Sequence, residues 1–101
     1  MSKFSQEVLK AVKSVPRGKV VSYGQVALMT GNPRAARQVG WVLNKLSDDK
    51  TPWWRVINNS GRISIKSSEF SALEQKERLE GEGVVVSKNF EIDIEKYRFN
   101  W

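Results

Sequence analysis

The chain has 101 residues, of which 17 are Lys or Arg, 11 are Asp or Glu and none is Cys or His, for a net charge of +6. At 40% hydrophobic and 28% charged it has the make-up of one globular domain, residues 1–101, and with no apolar run near ~18 residues and no signal sequence an intracellular protein is expected, cytoplasmic, or nucleoid-associated if bacterial. The missing cysteine and histidine exclude a disulfide framework, a thiolate nucleophile, a cysteine-ligated zinc site and an imidazole base, so no metal, cofactor or membrane partner is expected.

Phe4, Val8, Leu9, Val12 and Val15 recur at three- and four-residue steps, predicting an amphipathic helix from Ser5 to Ser14 that Pro16 ends, with Gly18 in the turn. After the apolar pair Val20-Val21, Ser22 is placed to cap a second helix with Val26, Ala27 and Met29 inward and Gly31 as its stop. Asn32 as N-cap and Pro33 at the first helical position predict a third helix, Pro33 to Leu46, burying Ala36, Val39, Gly40 and Leu43. Helix, tight turn and helix, with Arg34 and Arg37 near the start of the second, is the helix-turn-helix layout. Arg55 to Ile57 and Arg62 to Ile65 flank Asn58-Asn59-Ser60-Gly61, which predicts a hairpin of the kind that forms the wing of a winged helix. A last helix is expected from Ser68 to Glu80, with Phe70, Leu73 and Leu79 on one face and Glu74 paired with Arg78, ended by Gly81 and Gly83. Val84, Val86, Phe90, Ile92 and Ile94 then alternate, and the tail Tyr97, Phe99, Trp101 is expected to fold back over the core. The fold class is mainly α with a small β-hairpin wing.

Charge is uneven. Residues 1–66 hold twelve Lys/Arg against three acids, whereas residues 67–101 hold five against eight. A positive half on a small domain is the footprint of a nucleic-acid binder, although many basic proteins bind none. The adjacent tryptophans of Thr51-Pro52-Trp53-Trp54-Arg55-Val56-Ile57 would point to opposite sides of an extended segment, one buried and one facing out or lining a pocket. The alternative is that both are core.

The order Val20-Val21-Ser22-Tyr23-Gly24-Gln25-Val26-Ala27, Gly31-Asn32-Pro33-Arg34-Ala35-Ala36-Arg37-Gln38-Val39-Gly40, Pro52-Trp53-Trp54-Arg55-Val56-Ile57 and Leu79-Glu80-Gly81-Glu82-Gly83-Val84 resembles the DNA-binding domain of O6-alkylguanine-DNA alkyltransferases. It implies the winged helix-turn-helix fold of their C-terminal domain. Those enzymes carry Pro-Cys-His-Arg, the Cys accepting the alkyl group and the His helping to activate it. Here Trp53 and Trp54 stand there, and an indole has no ionisable nucleophile at neutral pH. The chain therefore resembles the alkyltransferase-like proteins, the non-catalytic branch that recognises alkylated guanine in duplex DNA and hands it to nucleotide excision repair. That branch usually has Pro-Trp-His-Arg, so Trp54 is a second departure; it removes a His-to-Glu relay to Glu82 and leaves Glu82 a structural role.

The resemblance also assigns residues. Arg37 matches the arginine that fills the base stack when the damaged nucleotide rotates out, the alternative being a phosphate contact. Tyr23 matches the tyrosine that crowds the target phosphate and hydrogen-bonds the flipped base; otherwise it is a core tyrosine of a capped helix. Trp53 would line the pocket, with Val56 and Ser67 offering backbone groups to the guanine edge. Pro52, Trp54, Arg55 and Glu82 would support the pocket, and Arg34 and Lys19 would contact the DNA backbone. Catalytic residues are not expected. In this family the recognition helix enters the minor groove, where Ala35, Ala36 and Gly40 allow close approach. A monomer is expected. The competing readings are a winged-helix transcription regulator without lesion preference, and a true alkyltransferase, against which the lack of Cys speaks.

Overall fold

In a computed structural model, which describes residues 1–48, 50–64 and 69–101, three helices come first. Helix α1 (Lys3–Lys13) starts two residues earlier than the apolar spacing suggests, because Ser2 caps it by accepting from the Ser5 amide at 3.0 Å. Ser22 closes strand β1 (Val21–Ser22) and opens α2 (Tyr23–Met29) through a capping box: its Oγ accepts from the Gln25 amide, and Gln25 Oε1 accepts from the Ser22 amide. Gly31, at φ +83°, ends α2 as expected.

Met29 does not face inward. The buried arc of α2 is centred between Val26 and Ala27 and lies about 110° from Met29, which is 52% exposed. The third helix, α3 (Ala36–Leu46), starts three residues later than expected. Asn32 is not its N-cap. The Asn32 side chain instead donates back to the Thr30 carbonyl, and residues 32–35 make a separate turn in which the Ala35 amide bonds the Asn32 carbonyl. Val39 and Leu43 are buried together with Val42, while Ala36 and Gly40 are only half-buried.

The strand pairing also differs from the hairpin. Strand β2 (Val56–Ile57) runs parallel to β1, Val21 opposite Val56 and Ser22 opposite Ile57. The turn after it is tight, with the Gly61 amide on the Asn58 carbonyl and Asn58 Oδ1 accepting from the Ser60 and Arg62 amides. Its return arm bonds back once across the turn, the Asn58 amide donating to the Arg62 carbonyl, and then turns to the C-terminal segment: the Ile63 amide meets the Phe90 carbonyl and the Ile92 amide meets the Gly61 carbonyl. The β-content is thus a parallel pair with a loop as the wing, within the mainly helical fold.

Helix α4 (Glu69–Gly81) buries Ala72, Gln75 and Leu79. Leu73 lies about 100° round the helix from Ala72 and is half exposed. Glu74 and Arg78 pair as expected at 3.0 Å. The expected contributions of Ile65, Ser67, Ser68 and the Phe70 side chain lie outside the described residues. The tail does fold back, after a short helix α5 (Ile94–Tyr97) where alternation suggested an extended run: the Val20 amide donates to Tyr97, the Phe99 amide to Val20, and the Trp101 indole to Ser14 Oγ.

Two core clusters result, and the small sheet divides them. Val21 and Val56 point into the first with α1, α2 and α3, whereas Val20 and Ile57 point into the second with Ala72, Leu79, Ile92 and Tyr97. Alternation along a strand makes this division unavoidable. The seam between the clusters positions the tryptophan turn and the cavity in front of it.

Gly61 is the tightest point of the wing turn: it sits at φ +86°, and a Cβ there would lie 2.7 Å from the Ile92 carbonyl oxygen. Gly61→Ala should cost about 1–3 kcal/mol of folding free energy through strain and displaced backbone, read by denaturant melting. Gly83→Ala, where a Cβ meets nothing within 4 Å, should cost less.

Candidate nucleic-acid interface

The tryptophan pair lies on a single turn of 3-10 helix, Trp53–Arg55, rather than on an extended segment. Buried Pro52 precedes it, and the Arg55 amide closes the turn on the Pro52 carbonyl at 3.1 Å. The two rings therefore meet edge to face, 5.9 Å apart at 87°, and diverge toward different clusters. Trp53 packs on the first and Trp54 on the second. Both are half-buried, so neither is wholly core.

Behind the turn, Glu82 collects four donors. Arg55 meets it with Nε at 2.9 Å and Nη2 at 2.6 Å, Trp54 Nε1 at 2.9 Å, and the Gly18 amide at 3.3 Å. Arg55 Nη1 also donates to the Val15 carbonyl at 2.8 Å, at the end of α1. The side chains are 13% and 6% exposed for Arg55 and Glu82. Burial pushes the Glu82 pKa up, but hydrogen bonds from Arg55, Trp54 and Gly18 and the attraction of Arg55 outweigh it and hold the group below its ordinary 4.5. Trp54 thus takes the place of a histidine by donating to Glu82. It cannot relay a proton, because an indole N–H donates only.

In front of the turn lies a cavity of about 680 Å³, within the range of sites that enclose small ligands. Trp53 forms part of its wall with Tyr23, Ala36, Arg37, Gly40 and Trp41 from the helix-turn-helix and with Asn58, Asn59, Ser64 and Gln75 opposite. The Tyr23 ring sits over Gly40, where a Cβ would lie 3.6 Å from Tyr23 Cε1. Burial raises the Tyr23 pKa, so its hydroxyl stays protonated and can donate at neutral pH. Arg37 is exposed at the second position of α3. Among the described residues no group of three or more acids could hold a metal, and no helix is long and apolar enough to cross a membrane.

The structure brings Tyr23, Arg37 and Trp53 to one cavity, with Pro52, Trp54, Arg55 and Glu82 packed behind it. It does not bring Val56 there. Val56 is fully buried in the sheet, and its carbonyl accepts from Gln75 Nε2 at 2.9 Å. Ser67 lies outside the described residues. Exposed Arg34 borders a separate shallow groove with Gly31 and Gln38, and Lys19 sits exposed in the α1–β1 turn.

Sequence reading missed Gln75 and Trp41, along with Asn58, Asn59 and Ser64, as wall residues. Gln75 ties α4 to the turn by donating to the carbonyls of Trp54 and Val56, a contact that no local pattern announces. Trp41 had a signal, since it lies one helical turn after Arg37 and opposite the buried Val39 and Leu43.

The Glu82 network yields a test with a defined sign. Glu82→Gln removes one partner of a buried pair, and about 3–5 kcal/mol of stability should be lost at pH 7. Because the folded-state pKa lies below 4.5, the stability contributed by the charge is complete above that pH and lost as the pH falls through the lower folded value. Melting curves from pH 7 to 3 should therefore show the gap between wild type and Glu82→Gln narrowing below 4.5. A gap constant across the range would mean the carboxylate is not held by these donors.

Residues 3–84 match the model of the 6-O-methylguanine DNA methyltransferase DNA-binding domain. The DNA base-flipping protein of Escherichia coli is 44% identical over 99 residues, 97% of this chain and 75% of the relative. Alkyltransferase-like protein 1 of Schizosaccharomyces pombe is 39% identical over 101 residues, 99% of this chain and 91% of the relative. The crystal structure of the S. pombe protein in complex with damaged DNA containing O6-carboxymethylguanine superposes with a TM-score of 0.93 at 36% identity, covering 100% of this chain and 98% of that one. A helix-turn-helix facing a tryptophan-walled cavity, on a matched stretch of this extent, leaves one assignment: the chain belongs to the 6-O-methylguanine DNA methyltransferase family, as an alkyltransferase-like member.

Proposed function

We propose that this chain is a non-catalytic DNA-damage sensor that binds duplex DNA, rotates O6-alkylguanine out of the stack into the Trp53-walled cavity, and leaves it there as a signal for nucleotide excision repair. One observation carries the reading: where the alkyltransferase motif has its acceptor cysteine, an indole faces a cavity roomy enough to admit a base. With neither Cys nor His in the chain, there is no thiolate to take the alkyl group and no imidazole to activate another acceptor. An unchanged lesion then has to be excised by other proteins.

The side chains divide the work. Arg37 fills the vacated stack and pairs with the orphaned base, as a planar cation can. Trp53 gives the alkyl group and the base a flat apolar surface, and the Tyr23 hydroxyl donates to the base. The polar edge of the guanine meets the amides and hydroxyls of the opposite wall rather than Val56. Arg34 and Lys19 contact phosphates.

The test compares two duplexes identical but for one O6-methylguanine, at matched salt. Tighter binding to the lesion duplex is expected, and binding to both should weaken steeply as salt rises. Equal affinities would leave a winged-helix regulator without lesion preference and sink the proposal. Arg37→Ala should cost far more on lesion DNA than a surface Lys→Ala change does, on the order of a few kcal/mol for a step left unfilled. Trp53→Ala should lower discrimination while undamaged-DNA binding per folded molecule stays near wild type. Mass spectrometry after incubation with the lesion duplex should find no methyl group on the protein.

A further inference from the structure

Trp41 is 59% exposed, the most exposed of the four tryptophans. Among the described residues its indole N–H has no hydrogen-bond partner, and its ring meets no other aromatic ring and no cation. Leaving so large an apolar group in water is unfavourable unless something covers it. Its setting indicates what does. Arg37, Trp41 and Asn44 fall within an arc of about 60° on α3, opposite Val39, Val42 and Leu43, with Lys45 at the arc's edge. Helix α3 carries no acid. Arg37, Trp41 and Asn44 also line the cavity.

We propose that Trp41 is a further DNA-contact residue, packing its indole against the deoxyribose wall of the minor groove, which the family resemblance has this helix enter, beside the gap that Arg37 fills. The proposal rests on the base-flipping reading above. Four residues of helix rise about 6 Å and base steps are spaced about 3.4 Å, which puts Trp41 roughly two base steps from the gap. A cationic and apolar stripe suits a sugar-phosphate wall. The unpartnered indole N–H suits the N3 and O2 acceptors that every base pair presents on the groove floor, and apolar side chains are what minor-groove proteins use to hold a deformed duplex open. Because none of these features depends on the alkyl group, Trp41 supports affinity for duplex DNA in general, whereas Trp53 supports discrimination.

The experiment uses the full chain with Trp41→Ala and Trp41→Phe on both duplexes. Trp41→Ala should weaken binding to each duplex roughly tenfold, the undamaged one included, with the slope of affinity against salt and the melting temperature unchanged, and Trp41→Phe should recover part of the loss. Acrylamide quenching of wild-type tryptophan emission should fall when undamaged duplex is added, and Trp41→Phe should lose that protection. Unaltered affinity for both duplexes would overturn the proposal and leave the exposed indole to a protein partner. Loss confined to the lesion duplex would overturn it too, making Trp41 a wall of the pocket alone. A wild type that shows no lesion preference sinks the base-flipping reading separately, since the Trp41 comparison is made on undamaged DNA as well.

Discussion

The carboxylate of Glu82 is the point on which the site hangs. Its two oxygens accept from Arg55, Trp54 and the Gly18 amide, and Arg55 reaches on to Val15. One side chain therefore ties together the C-terminal end of α4, the tryptophan turn, the end of α1 and the turn before β1. A buried ion pair adds little net stability against desolvation, but breaking one is costly. What such a network supplies is a single geometry. With its donors in place the Trp53–Arg55 backbone cannot slide, and Trp53 is held at the cavity wall before any ligand arrives.

Trp54 shows how the frame survives without the chemistry. By resemblance its place belongs to a histidine, whose ring nitrogens can both donate and accept and so pass a proton. The indole keeps the bond to Glu82 and loses the acceptor. It also adds area: Arg78, held by Glu74, lies over Trp54 at 4.6 Å and Arg55 at 5.5 Å, contacts that favour a ring with a strong quadrupole. Glu82, kept ionised by its donors, serves as an anchor.

How far the sequence announced this structure depends on the range of each signal. The cap at Ser22, the stop at Gly31, the Glu74–Arg78 pair and the returning aromatic tail were legible because each is set by residues a few positions apart, or by an unmistakable apolar pattern. Asn32-Pro33 carried a sound local cue for a helix start. It was overridden because Asn32 found the Thr30 carbonyl of the preceding helix. The wing turn was legible, but the partners of its flanking segments were not, for a similar reason. Val56-Ile57 pairs with a strand thirty-five residues earlier in register, and the wing's return arm bonds the tail, neither of which a local pattern can disclose. In the site, Tyr23, Arg37 and Trp53 came from the family resemblance and converge in space. Gln75 stayed invisible because its role exists only once α4 crosses the turn.

The position of the cavity explains how this fold can serve the proposed binder without a reactive group. The wall on one side comes from α2 and α3 of the first cluster, and the other from the tryptophan turn, the wing loop and α4 of the second. The parallel pair β1–β2 and the Glu82 network fix these two halves to each other. An enzyme at this site has to favour a transition state over the bound base, because binding both equally gives no acceleration. A sensor has no such requirement. On the proposed reading ground-state affinity is its whole output, so a broad, rigid indole in place of a small nucleophile would suit the site to that task, provided the frame behind it stays satisfied. That condition makes the two tryptophans a pair: Trp53 changes what the cavity can do, and Trp54, by preserving the donor to Glu82, lets the turn that carries Trp53 remain where it was.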